Sequence, residues 1–506
     1  MQQRREFLRA FGALSAAVAA PSFAGSSAGE AFDAAVADKP WLRAFKGVSD
    51  ATQDLRCEAL TLTGDWPAAL RGRFYRNGPA LFERGGQRYH HWFDGDGMVQ
   101  QFSFNGTSVR HVGRLVRTAK LRAEQQAGRF LYSAFGTAIR SDAPAQGPDT
   151  FNTANTNAIE HAGRVLAMWE GGSAYALDPK DLATQGPVTW QDGLQQLPFS
   201  AHPKVDAGGQ LWNIGTSGQR LIAWHIDPQG RLVDAQLGES PYPGGMVHDM
   251  AATTQYLVIP LPPVKLDFGR IAAGGTPEQA YAFDSREPLR ILVLRKDDIT
   301  QRRVFELPAQ MVFHVGNAFE RADGCIALSF VGASDHRSLV QSAVALVAGR
   351  PGPQRVSSTQ LAVLDLASGR ASVESLGDAV EFPRIDPRRI GLPARYLLNA
   401  AQWKPQPAGR GSLFHGITLR DLQTGREDRF DYGEQTVVEE HILVPKPGRA
   451  DELDAWVLGT SFDAKRQLTQ VSVFDARRIA DGPLAQATLP YALPLGFHGN
   501  FTPAAS

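Results

Sequence analysis

The feature that most constrains this chain is its punctuation. Beyond an N-terminal leader, short runs rich in Val, Ile, Leu, Phe and Tyr recur between Gly, Asp and Pro breaks, and long helical periodicities are scarce. Runs of four to eight such residues are strand-sized. Arg164–Trp169, Gln210–Ile214, Leu221–Ile226, Leu289–Leu294, Leu361–Asp365 and Leu453–Leu458 are examples. Asp227–Gly230, Ala367–Gly369 and Gln423–Gly425 are hairpin turns, each followed by Arg and a new strand-like run. The unit of hairpin, loop and hairpin repeats without a linker, as expected of an all-β fold whose blades stack around an axis. Periodicity by itself leaves a large sandwich open as well. Two stretches break the pattern and predict helical insertions: Thr118–Gly136, and the nearly uncharged Ser338–Ala348. The second either packs on the sheets or offers an apolar surface to a lipid-like substrate.

Composition removes several function classes. Lys and Arg number 52 against 52 Asp and Glu, with no basic block to track a phosphate backbone, so nucleic acid is not an expected partner. Cys57 and Cys325 lack the paired spacings of a zinc site or a disulfide framework, so a metal must be held by other ligands. Whether these two cysteines pair with each other is open. At the N-terminus, a charged segment carrying Arg4, Arg5, Phe7 and Leu8 precedes the small apolar run Ala10–Ala20 and Ser22–Ala24. This is the layout of a twin-arginine export signal, and its apolar run is far too short to span a bilayer. The expected organisation is therefore a leader over residues 1–30, one β domain with cap insertions over residues 31–506, and a periplasmic location reached through the twin-arginine machinery.

Most of the twelve histidines read as structural. His111, His225 and His415 lie inside strand-like runs, His161 and His336 in loops, and His90, His91 and His441 are ambiguous. Four others stand where a strand meets a loop beside small or turn-forming residues: His202, His248, His314 and His498. Their separations of 46, 66 and 184 residues exceed the reach of one helix or hairpin. They can meet only on a common axis, where the inner strand of every blade of a propeller faces the central channel.

Those four contexts, with Phe74–Pro79 and Trp92–Gly97, resemble the carotenoid cleavage oxygenases over roughly residues 50 to 501. The resemblance implies a seven-bladed β-propeller with a helical and loop cap, holding one Fe(2+) per chain through His202, His248, His314 and His498. It also implies three outer carboxylates, Glu170, Glu381 and Glu440, the last in preference to its neighbour Glu439. Such carboxylates fix the tautomer of a ligating histidine and offset the metal's charge. No general acid or base is nominated beyond the metal centre. Asp94 and Asp96 lack the further oxygen ligands of a calcium loop and are expected to build turns in the first blade.

The activity implied is dioxygen-dependent scission of a conjugated carbon–carbon double bond into two carbonyl products. Its partners are a small apolar conjugated substrate and O2, with peripheral contact to a membrane. The family offers two substrate classes: carotenoids or apocarotenoids, and hydroxystilbenes of the lignostilbene type. A hydroxystilbene pocket needs a Lys and a Tyr to hold the phenol. Gln126 stands where that lysine is sought, with Lys120 nearby, so an apocarotenoid or carotenoid is the preferred expectation. Two rivals are a non-catalytic periplasmic binding propeller, which would purify without stoichiometric metal, and a propeller lactonase, which would carry an axial calcium cluster of carboxylates and Asn.

Overall fold

The computed structural model describes residues 28–504, apart from 242–244, 354–356, 378 and 404–412. The leader's Arg4 and Arg5 lie outside the described residues. Seven antiparallel sheets form the blades of a propeller, joined by two small two-stranded pairs. In chain order the inner strands of blades two to seven are Asn157–His161, Lys204–Val205, Ala251–Ala252, Met311–Glu320, Val380–Arg384 and Thr436–Pro445. The chain ends close the ring. His498–Pro503 supplies the inner strand of the first blade beside Arg71–Leu81, and Thr61–Gly64 supplies the outer strand of the seventh beside Ala485–Thr488.

Each blade is sandwiched between two neighbours, which explains why central strands read as nearly continuous apolar runs. Phe74 and Phe102 of the first blade pack on Ile442, Trp456 and Val471 of the seventh. On the other face of the first blade, Tyr75 and Val99 meet Ala158 and Val165 of the second. Ala455–Asp463 is buried through Phe462, whereas the outer strand Leu232–Glu239 has no buried residue. The predicted turns at Asp227–Gly230, Ala367–Gly369 and Gln423–Gly425 all join adjacent strands of one blade.

Both predicted insertions are helical, over Ala119–Ala127 and Arg337–Val347, and Ala28–Asp38 forms a third cap helix. Val340, Ala343, Leu346 and Val347 are buried, so the apolar side of the second insertion is turned inward. Leu346 packs with Phe32, Trp41 and Phe45 of the N-terminal segment.

Two glycines show why the motifs Phe74–Pro79 and Trp92–Gly97 take their form. A Cβ on Gly78 would lie 2.4 Å from the Cα of Gly496, and one on Gly97 would lie 2.2 Å from the carbonyl oxygen of Ala154. Backbones meet there at a distance that only glycine permits. Asp94 and Asp96 do more than shape local turns. Asp94 accepts from the Gly136 amide at 2.9 Å and the Thr137 hydroxyl at 2.5 Å, which ties the cap segment to the blade. Asp96 lies 2.9 Å from the Lys120 ammonium. Cys57 and Cys325 are both free thiols.

Candidate metal centre

His202 immediately precedes the inner strand of the third blade and His248 that of the fourth, while His314 lies within that of the fifth and His498 opens that of the first. Glu381 and Glu440 lie on the inner strands of the sixth and seventh blades, and Glu170 follows the second strand of the second. Every blade thus contributes one residue. The register of the inner strands breaks between Val312 and Asn317, between Glu381 and Arg384, and between Val438 and His441. A bulge bends a strand and re-aims side chains, and these three flank His314, Glu381 and Glu440. Phe382 adopts φ 54, a strained conformation for a bulky residue, and its ring lies 5.3 Å from that of His314 and 5.5 Å from that of His498.

The four imidazoles converge. Nε2 of His202 is 3.1 Å from that of His248, which is 3.3 Å from that of His314, which is 3.1 Å from that of His498. All four potential ligand atoms lie within 4.8 Å of one another. The outer nitrogens meet the carboxylates: His314 Nδ1 is 2.5 Å from Glu381, His498 Nδ1 is 3.0 Å from Glu440, and His248 Nδ1 is 3.1 Å from Glu170. For His314 and His498, an Nδ1–H donated outward to the carboxylate leaves a bare lone pair on Nε2. Lone pairs about 3 Å apart cannot hydrogen-bond one another, but they suit a cation between them. Metal–nitrogen bonds of about 2.1 Å at right angles place neighbouring nitrogens about 3 Å apart. The donor set therefore fits a single Fe(II) per chain. Among the described residues His202 has no comparable partner: its Nδ1 is 3.9 Å from Asp249, whose Oδ1 is held by Lys204 at 2.8 Å.

Electrostatics favour the neutral ligand state at His202 and His498, whereas at His248 burial is outweighed by the Glu170 carboxylate, which raises the imidazole. Burial pushes the His498 imidazole down to about 4 despite the opposing pull of Glu440. Burial, followed by the other three imidazoles, holds His202 well below the usual histidine range. Burial would raise Glu440, but Arg384, His498 and Arg76 together bring it to about 2, keeping it an acceptor. Glu439 has a separate task, bonding Arg76 Nη2 at 2.9 Å and the Gly496 amide at 2.6 Å, and so steadies the turn before His498. No sequence signal separated these adjacent glutamates beyond their spacing; the bulge between Val438 and His441 does.

The remaining histidines have other work. His111 bridges Tyr491 and Gln100, His225 stacks on Trp212 at 3.8 Å, His161 bonds the Asp227 carbonyl and His415 faces Asp431. Buried His91 accepts from the Phe93 amide, His441 bonds Tyr432, and His90 is exposed. Against His248, His314 and His498 lies a cavity of about 420 Å³ whose walls include Trp92, Phe93, Phe135, Trp169, Phe313 and Phe382. Ser342, Ala343 and Leu346 of the second helical insertion line it from the cap.

A propeller that gathers four imidazoles on its axis around the place of one iron(II), under an apolar cavity, defines a non-haem iron oxygenase of the four-histidine kind. Residues 48–503 match the family described as retinal pigment epithelial membrane protein, and the chain belongs to this carotenoid cleavage oxygenase family. It is an Fe(II)-dependent oxygenase. It is 31% identical to the apocarotenoid-15,15'-oxygenase of Synechocystis over 91% of this chain and 96% of that one. It is 30% identical to lignostilbene-alpha,beta-dioxygenase isozyme III of Sphingomonas paucimobilis, over 90% and 97%. Among solved structures, cobalt-substituted Synechocystis apocarotenoid oxygenase superposes with a TM-score of 0.80 at 27% identity, over 92% of this chain and 99% of that one.

Proposed function

We propose that the chain cleaves a conjugated carbon–carbon double bond of an apocarotenoid or carotenoid with O2, giving two carbonyl products. His202, His248, His314 and His498 ligate the iron in this reading, and Glu170, Glu381 and Glu440 hold their tautomers and balance charge. Bound there, iron(II) supplies the redox chemistry through which O2 reacts with the alkene. The protein binds the polyene beside the metal, orients one double bond and excludes water.

The observation that carries the substrate class is the cavity wall, which among the described residues contains no Lys or Arg. Lys120 is 1% exposed, bonded to Asp96, Glu124 and Tyr89, and absent from that wall, while Gln126 faces solvent. A phenolate therefore lacks a cationic partner, whereas a polyene needs none. Incubating iron-loaded enzyme with an apocarotenal and with 4-hydroxystilbene, under air and under argon, tests the reading. Paired aldehyde fragments are expected from the apocarotenal under air alone. Cleavage of the stilbene alone would replace the apocarotenoid with a hydroxystilbene.

Delivery of such a substrate fits a membrane surface at the cavity mouth, where the cavity-lining Phe268 is 53% exposed beside Ile271. No helix among the described residues is long and apolar enough to cross a membrane. For the leader, the reading is export of the folded protein by the twin-arginine route. A site assembled from all seven blades forms only on folding, so a route that carries folded proteins lets iron enter before transport. Changing Arg4 and Arg5 together to Lys should abolish periplasmic recovery in cell fractionation; an unchanged periplasmic yield would refute the route.

A further inference from the structure

We infer that Tyr281 is a specificity-determining residue whose hydroxyl hydrogen-bonds an oxygen atom at one end of the conjugated substrate, so that the preferred substrate is an oxygen-terminated polyene. This rests on the polyene reading above.

Tyr281 opens the short strand Tyr281–Phe283, which pairs with Val264–Leu266 and follows the helical turn Pro277–Ala280. That turn is fixed at both ends. Thr276 and Gln279 form a reciprocal cap, and the Glu278 amide donates to the Phe135 carbonyl at 2.9 Å. The ring of Tyr281 is thereby held within 6.0 Å of Phe135 and packs with Phe93, Met246 and Phe313. Phe313 in turn lies 5.0 Å from the ring of His248. The tyrosine therefore stands in the wall of the cavity that His248, His314 and His498 also line.

Its hydroxyl has no hydrogen-bond partner among the described residues, although its neighbours are aromatic or aliphatic. Several other polar groups of that wall are engaged, although the Thr153 hydroxyl and the Trp92 indole N–H, both buried, have no partner among the described residues. Asn155 donates to the Phe93 and Gly95 carbonyls, Thr156 bonds Asn155, and Ser133 bonds the Ile139 carbonyl. Tyr281 is half-buried and its hydroxyl opens on the cavity, so a ligand that displaces water there must supply its hydrogen bond or leave it unpaired at a cost. Phenylalanine would pack the same space without that cost. Burial, with the Glu170 carboxylate adding to it, pushes the phenol up to about 12, so it remains a neutral donor at every physiological pH. A donor of this kind selects an aldehyde, ketone or hydroxyl oxygen over a hydrocarbon end. It also rejects the hydrocarbon by leaving its own hydroxyl unpaired.

The test compares wild type and Tyr281→Phe, both iron-loaded, on an apocarotenal and on the hydrocarbon of the same length lacking the carbonyl. For the aldehyde, kcat/KM should fall by about 10- to 100-fold in the variant, carried mainly by KM. The hydrocarbon should be cleaved equally well or better, and iron content should be unchanged. The absorption maximum of the bound polyenal should move to shorter wavelength in the variant, because a hydrogen bond to the carbonyl lowers the excitation energy of the conjugated chain. Equal effects on both substrates, or an unshifted spectrum with unchanged kcat/KM, would overturn the role of Tyr281 while leaving the polyene reading intact. A wild-type enzyme that cleaves neither polyene would overturn both.

Discussion

Purified protein should carry about one iron per chain, and His202→Ala or His498→Ala should bring both metal content and cleavage to background. Each substitution deletes one of four imidazole donors whose nitrogens stand 3.1–3.3 Å from their neighbours. Three remaining neutral donors give a weaker site with an extra open position. The two variants differ in an instructive way. His498 belongs to the strand that closes the propeller and donates to buried Glu440, so its loss also removes a hydrogen bond from that carboxylate. Among the described residues His202 has no carboxylate closer than Asp249 at 3.9 Å, and its replacement should remove metal with less effect on folding. Glu381→Gln and Glu440→Gln should do less, about 10- to 100-fold in metal affinity or activity, as for other groups that orient a ligand without touching the metal. Metal analysis of the purified variants beside their unfolding curves separates these cases. Iron retained at wild-type level in both histidine variants would refute the ligand assignment, and complete loss in a glutamine variant would point to direct coordination.

The all-β blades were legible in the sequence because they are written locally, whereas the choice of a propeller over a sandwich came from the family resemblance. Each blade needs short apolar runs and tight turns such as Asp227–Gly230, and both signals survive without knowledge of partners. The four histidines stood out for a related reason: each sits at a blade's inner edge beside residues that permit a turn. What stayed hidden depends on contacts between blades. The register breaks that aim His314, Glu381 and Glu440 leave no local mark, because a bulge is a relation between two strands. The division of labour between Glu439 and Glu440 follows from Arg76, more than 360 residues away. Tyr281 was not singled out at all. A tyrosine beginning a short strand is ordinary until the neighbouring walls show that nothing bonds its hydroxyl. Asp96 was read as a turn former, and only the fold reveals the lysine it faces.

That lysine sets the second large effect: Lys120→Met should destabilise the protein by about 3–5 kcal/mol without emptying the metal site. Lys120 is 1% exposed and lies 2.9 Å from Asp96, 3.1 Å from Glu124 and 2.7 Å from the Tyr89 hydroxyl. Arg84 reaches Asp96 at 3.2 Å, so two cations balance two buried carboxylates. Burial by itself would lower the lysine, but Asp96, Tyr89 and Glu124 hold it well above its ordinary value. Removing one partner of a buried ion cluster leaves an uncompensated charge, and the magnitude above is typical of that loss. The cluster joins the cap helix Ala119–Ala127 to the first blade, and Glu124 also accepts the Leu131 amide at 3.0 Å. Weakening it should loosen the cap before the propeller. Asp96→Asn added to Lys120→Met restores neutrality and should recover part of the loss, a coupling that a double-mutant cycle in urea measures directly. Because Lys120 is absent from the cavity wall, the folded variant should keep its iron and its activity on an apocarotenal. Wild-type stability with selective loss of hydroxystilbene turnover would instead make Lys120 the phenol's partner and reverse the substrate reading.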